Sequence, residues 1–430
     1  MLKKNIMKVK IIDSFFKLKT NIFSDKYKQL RFVYLAALVA CAYAFVLGPR
    51  EHYDILSFIN AKDMLLQMQL DSYRTPLYPI FLILTYTPAI TIILQYLIFL
   101  ISIYFFYSTI RLLISSPKLI FIFTLIYGVH PVFVLLHNFL LSESLSLSFT
   151  VVSTYYLVQF VKKGKKKDCC LFHAIMLVLI FIKPAFLFLF AISIGLFLYF
   201  LIFKRNHVVS LKTYVISILL SFLIVGSYVF AINKKYDVYG FSSVSDINLY
   251  WMLRINNLID IPSIQNEEMK EFIFEKVDTQ YEKSNGGVYF IEATSLIENY
   301  GWKEFHSVVQ NSLSKNYKSF LFGQDSINMR LDALKENVFS RFSFYHLLAL
   351  LILYVFLIVS YSIKNKKIAI ISIAFFVYIG LNIFTLLVAA PYYYDRLIAP
   401  VVPIIFIIIM QVLDWIIYLV KRKSYQFELQ

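Results

Sequence analysis

Three short clusters in this chain combine side chains suited to acid–base chemistry and phosphate binding. The first holds Asp54, Phe58 and Ala61 and leads to Arg74-Thr75-Pro76-Leu77-Tyr78-Pro79, with Asp63 and Asp71 between them. The second is two similar but separate cases, Ser142-Glu143 and Lys183-Pro184, each an ionisable residue within an apolar segment. The third is Tyr392-Tyr393-Tyr394-Asp395-Arg396, followed by Pro400 and Pro403. A carboxylate can take the proton of an attacking hydroxyl. Arginine offers forked donors that match a phosphate, and lysine a compact charge. Together these types suit a substrate that is part lipid and part phosphate. Each residue also has a plainer use. Asp54 could cap a helix, Glu143 could snorkel to an interface, and Lys183 could satisfy carbonyls freed by its proline. Arg396 with its tyrosines could form an interfacial belt.

The surroundings of Asp54 and Arg74 favour a site. Asp54, Phe58 and Ala61 fall at i, i+4 and i+7, so they share one face of a helix that begins at Asp54. Prolines remove backbone donors and restrict the residue before them, so residues 74–79 should interrupt regular helix. At a membrane boundary such backbone persists only where protein or water covers it. The segment is expected to be the floor of a site.

These residues must be positioned by membrane helices. The chain has 430 residues, 59% of them hydrophobic and only 16% charged, and a mean hydropathy of +0.69. Its apolar runs reach the length needed to span a bilayer, so an all-α polytopic membrane protein is expected. The net charge of +16 gathers in short runs at 162–167, 204–205, 364–367 and 421–423, and in the first 31 residues. That distribution marks cytoplasmic loops rather than a nucleic-acid surface. The basic amino terminus leads into a first span with no cleavable signal. Cys41, Cys169 and Cys170 lack the spacing of a metal or disulfide framework, and no ligand cluster demands a metal.

Charge parity orders the crossings at about 32–48, 89–113, 119–136, 140–161, two short helices within 170–203 that meet near Lys183-Pro184, 211–232, 345–363, 368–390 and 397–420. Ten spans then place both termini in the cytoplasm and the three clusters outside. Three units follow: residues 1–232 with a first outer loop at 49–75, a water-facing insertion at 233–343, and closing helices at 344–430. Within the insertion, 269–277 and 289–300 read as amphipathic helices.

The clusters resemble those of membrane-embedded glycosyltransferases of the GT-C fold. The likeness is to the bacterial branch related to family 39 protein mannosyltransferases and aminoarabinose transferases. The acidic-aromatic-alanine pattern is matched by Asp54, Phe58 and Ala61, and Arg-Thr-Pro-x-Tyr-Pro by residues 74–79. The Ser-Glu pair is Ser142-Glu143, Lys183-Pro184 stands where an Arg-Pro pair is usual, and the final element is Arg396-Leu397-Ile398-Ala399-Pro400-Val401-Val402-Pro403. The insertion is not covered.

The resemblance implies a polyprenyl-phosphate sugar donor and a glycan, lipid or protein acceptor, used on the outer face of a bacterial inner membrane. It implies Asp54 as general base and Glu143 as the group orienting a cation or the acceptor. Arg74, Lys183 and Arg396 become phosphate partners, with Tyr78 in the substrate site. One displacement with one base inverts the anomeric centre. An O-antigen-type polymerase or ligase is the alternative, with chemistry around Arg254 or Arg330 of the insertion. A lipid-sugar flippase would instead require charges near mid-membrane.

Overall fold

The computed structural model describes residues 28–50, 54–203, 208–278, 287–325, 328, 344–389 and 398–427. Its regular elements are helices, and the described residues hold no strand beyond an isolated bridge between Arg50 and Phe139. Proline and short polar breaks set many of the boundaries. Helix α1 is Lys28–Val46, α2 Ile55–Leu66, α3 Leu77–Thr85 and α4 Pro88–Leu113. Residues 74–76 interrupt regular helix as expected, whereas Leu77–Pro79 already belong to α3; a further break ends α3, where Tyr86 takes a positive φ and the Thr87 hydroxyl accepts the Ile90 N–H ahead of a proline-led helix. Helices α5 (Pro117–Val129) and α6 (Pro131–Leu136) are divided at His130-Pro131, α7 is Ser142–Lys163, and α8 is Lys166–Ile182. Lys183 is extended before Pro184, which starts the 3-10 turn Pro184–Phe188 leading into α9 (Leu189–Phe203). Helix α10, Val208–Tyr236, follows.

Eight stretches are long and apolar enough to cross a membrane: Lys28–Val46, Pro88–Leu113, Pro117–Leu136, Ser142–Lys163, Pro184–Ile202, Leu211–Tyr236, Lys366–Thr385 and Ala399–Val420. The protein is an all-α, multi-pass membrane protein. Two further helices, α8 and Phe344–Lys364, stand where two more of the ten expected crossings fall, but α8 has 17 residues and the second is apolar only over Leu348–Ile363.

Helix α7 is the hub. Some 78% of its most apolar window is buried, against 22–50% for the other seven. It is also the least hydrophobic, carrying Ser142, Ser144, Ser146, Ser148, Thr150, Ser153 and Thr154. Small side chains let neighbouring backbones approach, and their hydroxyls can bond back to the helix, as Ser146 does to Ser142 O at 2.6 Å. Helices α4 and α8 pack on it, as does the 3-10 turn Ala399–Val401 that opens α17 (Val402–Phe427).

The lysine-rich end of the bundle is tied by backbone contacts. Lys162 Nζ donates to Leu112 O, and Lys367 Nζ to Lys162 O at 2.7 Å. Asp414 accepts from the N–H groups of Ser115 and Ser116 and from the Ser115 hydroxyl. At the opposite end, the Asn138 amide donates to Ala44 O and Gly48 O, both at 2.7 Å, and Arg50 N–H donates to Asn138 O.

The insertion is helical: α11 Val244–Ile255, α12 Glu267–Asp278, α13 Gly287–Tyr300 and α14 Trp302–Phe322. Helices α12 and α13 fall on the two amphipathic stretches expected there. The unit has its own core of Tyr250, Leu253, Ile273, Leu296, Phe305 and Val309. Helices α15 (Phe344–Lys364) and α16 (Lys366–Ala389) lead to α17 and complete the bundle.

Candidate functional site

Helix α2 buries Ile55, Phe58 and Ala61; Phe58 and Ala61 are on the face anticipated from spacing, while the helix begins one residue after Asp54. Asp54, the residue before it, makes no side-chain cap. Its Oδ1 instead lies 2.9 Å from Nη2 of Arg74. Arg74 Nε donates to Ser57 Oγ at 2.7 Å, and that hydroxyl donates to Asp54 O at 2.7 Å. The guanidinium carbon sits 4.4 Å from the Phe58 ring centre and 4.6 Å from that of Tyr73. The Asp54 and Arg74 side chains are only 14% and 16% exposed. This cation is therefore held in one orientation by a carboxylate, a hydroxyl and two ring faces.

The turn that presents Arg74 is built by Asp71. Its two carboxylate oxygens accept the N–H groups of Tyr73 and Arg74, each at 3.0 Å. Burial pushes the Asp71 carboxyl above its usual range, opposed by these N–H donors and by the Arg74 charge. Just before the turn, Ser72 O accepts both the N–H and the hydroxyl of Ser243, at 2.8 and 3.0 Å, and Tyr236 donates to Leu70 O. The Tyr73 ring packs on the core of the insertion. The loop carrying Arg74 is thus clamped between the bundle and the insertion.

A second ion pair lies on α7 and the end of α8. Lys183 Nζ is 3.2 Å from Glu143 Oε1, and the Ser142 hydroxyl reaches Oε2 at 3.3 Å. Glu143 is buried, so the snorkelling alternative does not hold. Lys183 is extended because proline follows it, and that geometry turns its side chain toward α7 instead of continuing α8.

The two pairs belong to one structure. Thr75, next to Arg74, donates its hydroxyl to the carbonyl of Ile182, next to Lys183, at 3.1 Å. Between the pairs stands Tyr78, its ring 4.9 Å from Phe58 in edge-on contact. Its hydroxyl donates to Gln95 Oε1 at 3.2 Å, while the Gln95 amide donates to His137 O and Phe139 O at 2.8 and 3.0 Å. Burial first, and the nearby Glu143 charge second, push the Tyr78 phenol well above its ordinary value and keep it protonated. Phe58, Tyr78, Leu82, Leu141, Leu145 and Ile182 form a single apolar wall behind both pairs.

Asp54, Arg74, Tyr78, Glu143 and Lys183 are thus brought together by α2, α3, α7 and the α8 end. Arg396 lies outside the described residues, as do Glu51, Tyr392 and Arg330. The residues that follow Arg396 in the described chain, Ile398, Ala399, Pro400 and Val401, are buried, and their turn packs on α7. Arg254, the cation of the polymerase alternative, is committed elsewhere. It meets Glu292 through two donors at 3.0 and 3.3 Å and the Ile273 carbonyl at 3.2 Å, 5% exposed inside the insertion core.

Sequence reasoning missed Ser57, Asp71, Ser72 and Gln95 as members of this assembly. Asp71 had a readable signal, an Asx turn just ahead of a proline pair. The partner of Gln95 is set by a loop 42 residues away, beyond any local pattern.

No protein-family model and no curated protein matches this chain.

Proposed function

We propose that this chain is an integral-membrane glycosyltransferase of GT-C-like architecture. It would move a sugar from a polyprenyl-phosphate donor to a glycan, lipid or protein acceptor at the extracytoplasmic face of a bacterial inner membrane. In this reading α8 and α15 are also crossings, giving ten, with both termini cytoplasmic. The basic runs at 162–167, 204–205, 364–367 and 421–423 then share one side, as the orientation rule favours. The observation that carries the reading is the coupling of two carboxylate–cation pairs, Asp54–Arg74 and Glu143–Lys183, through the Thr75–Ile182 bond and one apolar wall.

The chemistry follows from those pairs. Each is neutral at rest, which keeps two cations at a membrane-facing site without uncompensated charge. A donor phosphate entering between Arg74 and Lys183 competes with both carboxylates for the cations. Arg74, kept in place by Ser57 and the two rings, shares its fork with the phosphate, which weakens its hold on Asp54 and leaves that carboxylate to accept a proton. The acceptor hydroxyl then gives its proton to Asp54 while its oxygen bonds the anomeric carbon. The anomeric carbon–phosphate oxygen bond breaks, and polyprenyl phosphate leaves with the electron pair, stabilised by Arg74 and Lys183. Backside attack inverts the centre. Glu143 holds Lys183 in place, and Arg396 is a third candidate for the phosphate. Ile80, Leu84, Ile90 and Ile93 expose apolar surface on α3 and α4 against which an isoprenoid tail can lie.

The test uses the full chain in lipid nanodiscs with polyprenyl-phosphate sugars extracted from the membranes of the native cells and labelled in the sugar. Binding of this fraction, and label moving to an acceptor from the same envelope extract, are expected. Absence of both binding and transfer overturns the reading.

A further inference from the structure

Away from the two ion pairs, a second group of chemistry-bearing side chains stands at the seam between insertion and bundle. Asp246, in the first turn of α11, places Oδ2 2.6 Å from Nδ1 of His306 on α14. Their side chains are 12% and 20% exposed, so the imidazole is held firmly yet reachable. A carboxylate only accepts, so Nδ1 carries a proton toward Asp246 and Nε2 is the ring atom left to face a ligand. Among the described residues Nε2 meets no hydrogen-bonding partner. The Tyr239 ring lies 5.2 Å from the imidazole at a 35° tilt, and this tyrosine is 58% exposed.

The position ties the group to the candidate active site. Ser243 is bonded twice to Ser72 O. Asp246 lies one helical turn, about 5 Å, beyond Ser243. Arg74 lies two residues, at most about 7 Å of chain, beyond Ser72. An exposed aromatic face beside an oriented imidazole combines an apolar platform with a placed polar group, the makeup of a small-ligand subsite. A flat ring of C–H groups edged by hydroxyls satisfies both at once.

We propose that Tyr239 and His306 form a subsite for a sugar ring of a glycan acceptor. The ring stacks on Tyr239, one of its hydroxyls hydrogen-bonds with His306 Nε2, and Asp246 positions the imidazole. The word acceptor rests on the glycosyltransferase reading; the binding of a glycan at this seam does not.

The experiment measures binding of fluorescently labelled oligosaccharides, released by mild acid from the envelope of the native cells, to the full chain in nanodiscs. Tyr239→Ala and His306→Asn are each expected to weaken binding about tenfold, the size of one lost stacking or polar contact. Tyr239→Phe keeps the ring and should bind as the parent does. Asn at 306 keeps a donor near Asp246 but lacks Nε2, and Tyr239 is exposed, so both variants should fold. No binding to the parent at millimolar oligosaccharide, or undiminished binding in both Tyr239→Ala and His306→Asn, overturns the subsite. Glycan binding that follows this pattern without any sugar transfer upholds the subsite and defeats the glycosyltransferase reading.

Discussion

Replacing Arg74 by lysine leaves the net charge unchanged, which makes it a sharp probe of geometry. An account based on charge alone predicts no effect, because an ammonium can still face Asp54. The structure predicts otherwise. Lysine lacks the Nε–H that donates to Ser57 Oγ at 2.7 Å, a bond from a charged donor contributing about 1.5 kcal/mol. It also stacks less well between Phe58 and Tyr73, whose centres lie 4.4 and 4.6 Å from the guanidinium carbon, for a loss of about 0.5 kcal/mol at each ring. The sum is about 2.5 kcal/mol, or roughly seventyfold in the population of the ordered cation. Donor affinity measured on nanodisc-embedded protein should fall by that order, and the thermal midpoint should drop. Lysine-substituted protein that binds the polyprenyl-phosphate fraction as tightly as the parent refutes the claim that Arg74 acts through its fork and its ring contacts.

Three other perturbations follow from the same packing. Glu143→Gln takes the Glu143 charge away from Lys183 and should destabilise the protein by about 3 kcal/mol, whereas Glu143→Gln with Lys183→Met should recover part of the loss, as read from thermal midpoints in nanodiscs. Arg254→Met alone should make the insertion protease-sensitive by leaving the buried Glu292 without its arginine counter-charge, while Arg254→Met with Glu292→Leu should restore resistance in limited proteolysis. The third concerns pH. Burial raises the folded pKa of Asp71 above its unfolded value near 4, so the stability it contributes is complete below about pH 4 and is lost as pH rises through the raised pKa. The parent-minus-Asp71→Asn difference in thermal midpoint should therefore fall with rising pH across that window and level off above it, and a difference that climbs instead contradicts the assignment.

Much of the architecture was legible because it depends on local pattern. Apolar runs between lysine clusters mark the crossings, and prolines 76, 88, 131 and 184 mark where helices stop or start. The shared face of Phe58 and Ala61 follows from helical periodicity. Residue types also pointed to Arg74, Glu143 and Lys183. Their partners were a different matter. Asp54 could equally have capped its own helix, and only the fold of the 67–75 loop turns Arg74 back onto it. Glu143 and Lys183 meet because α7 and α8 pack as neighbours and proline redirects the chain, a tertiary fact with no signature in either segment. The seam of Ser72 with Ser243, and of Asp246 with His306, joins residues 171 and 60 positions apart. Serine, aspartate and histidine in polar stretches carry no periodic signal, so pairing of this kind emerges only from packing. The pairing of Arg254 with Glu292 in the insertion core is likewise tertiary, joining residues 38 positions apart.

The most direct test of the account is the turnover of Asp54→Asn compared with its donor binding. Asparagine keeps the size of the side chain and can still meet Arg74, so the site should assemble, but it cannot take a proton. Single-turnover transfer from labelled polyprenyl-phosphate sugar should fall by roughly 10²–10⁴ while donor binding is held or improved. Transfer by Asp54→Asn at close to the parent rate contradicts the account and removes Asp54 as the base.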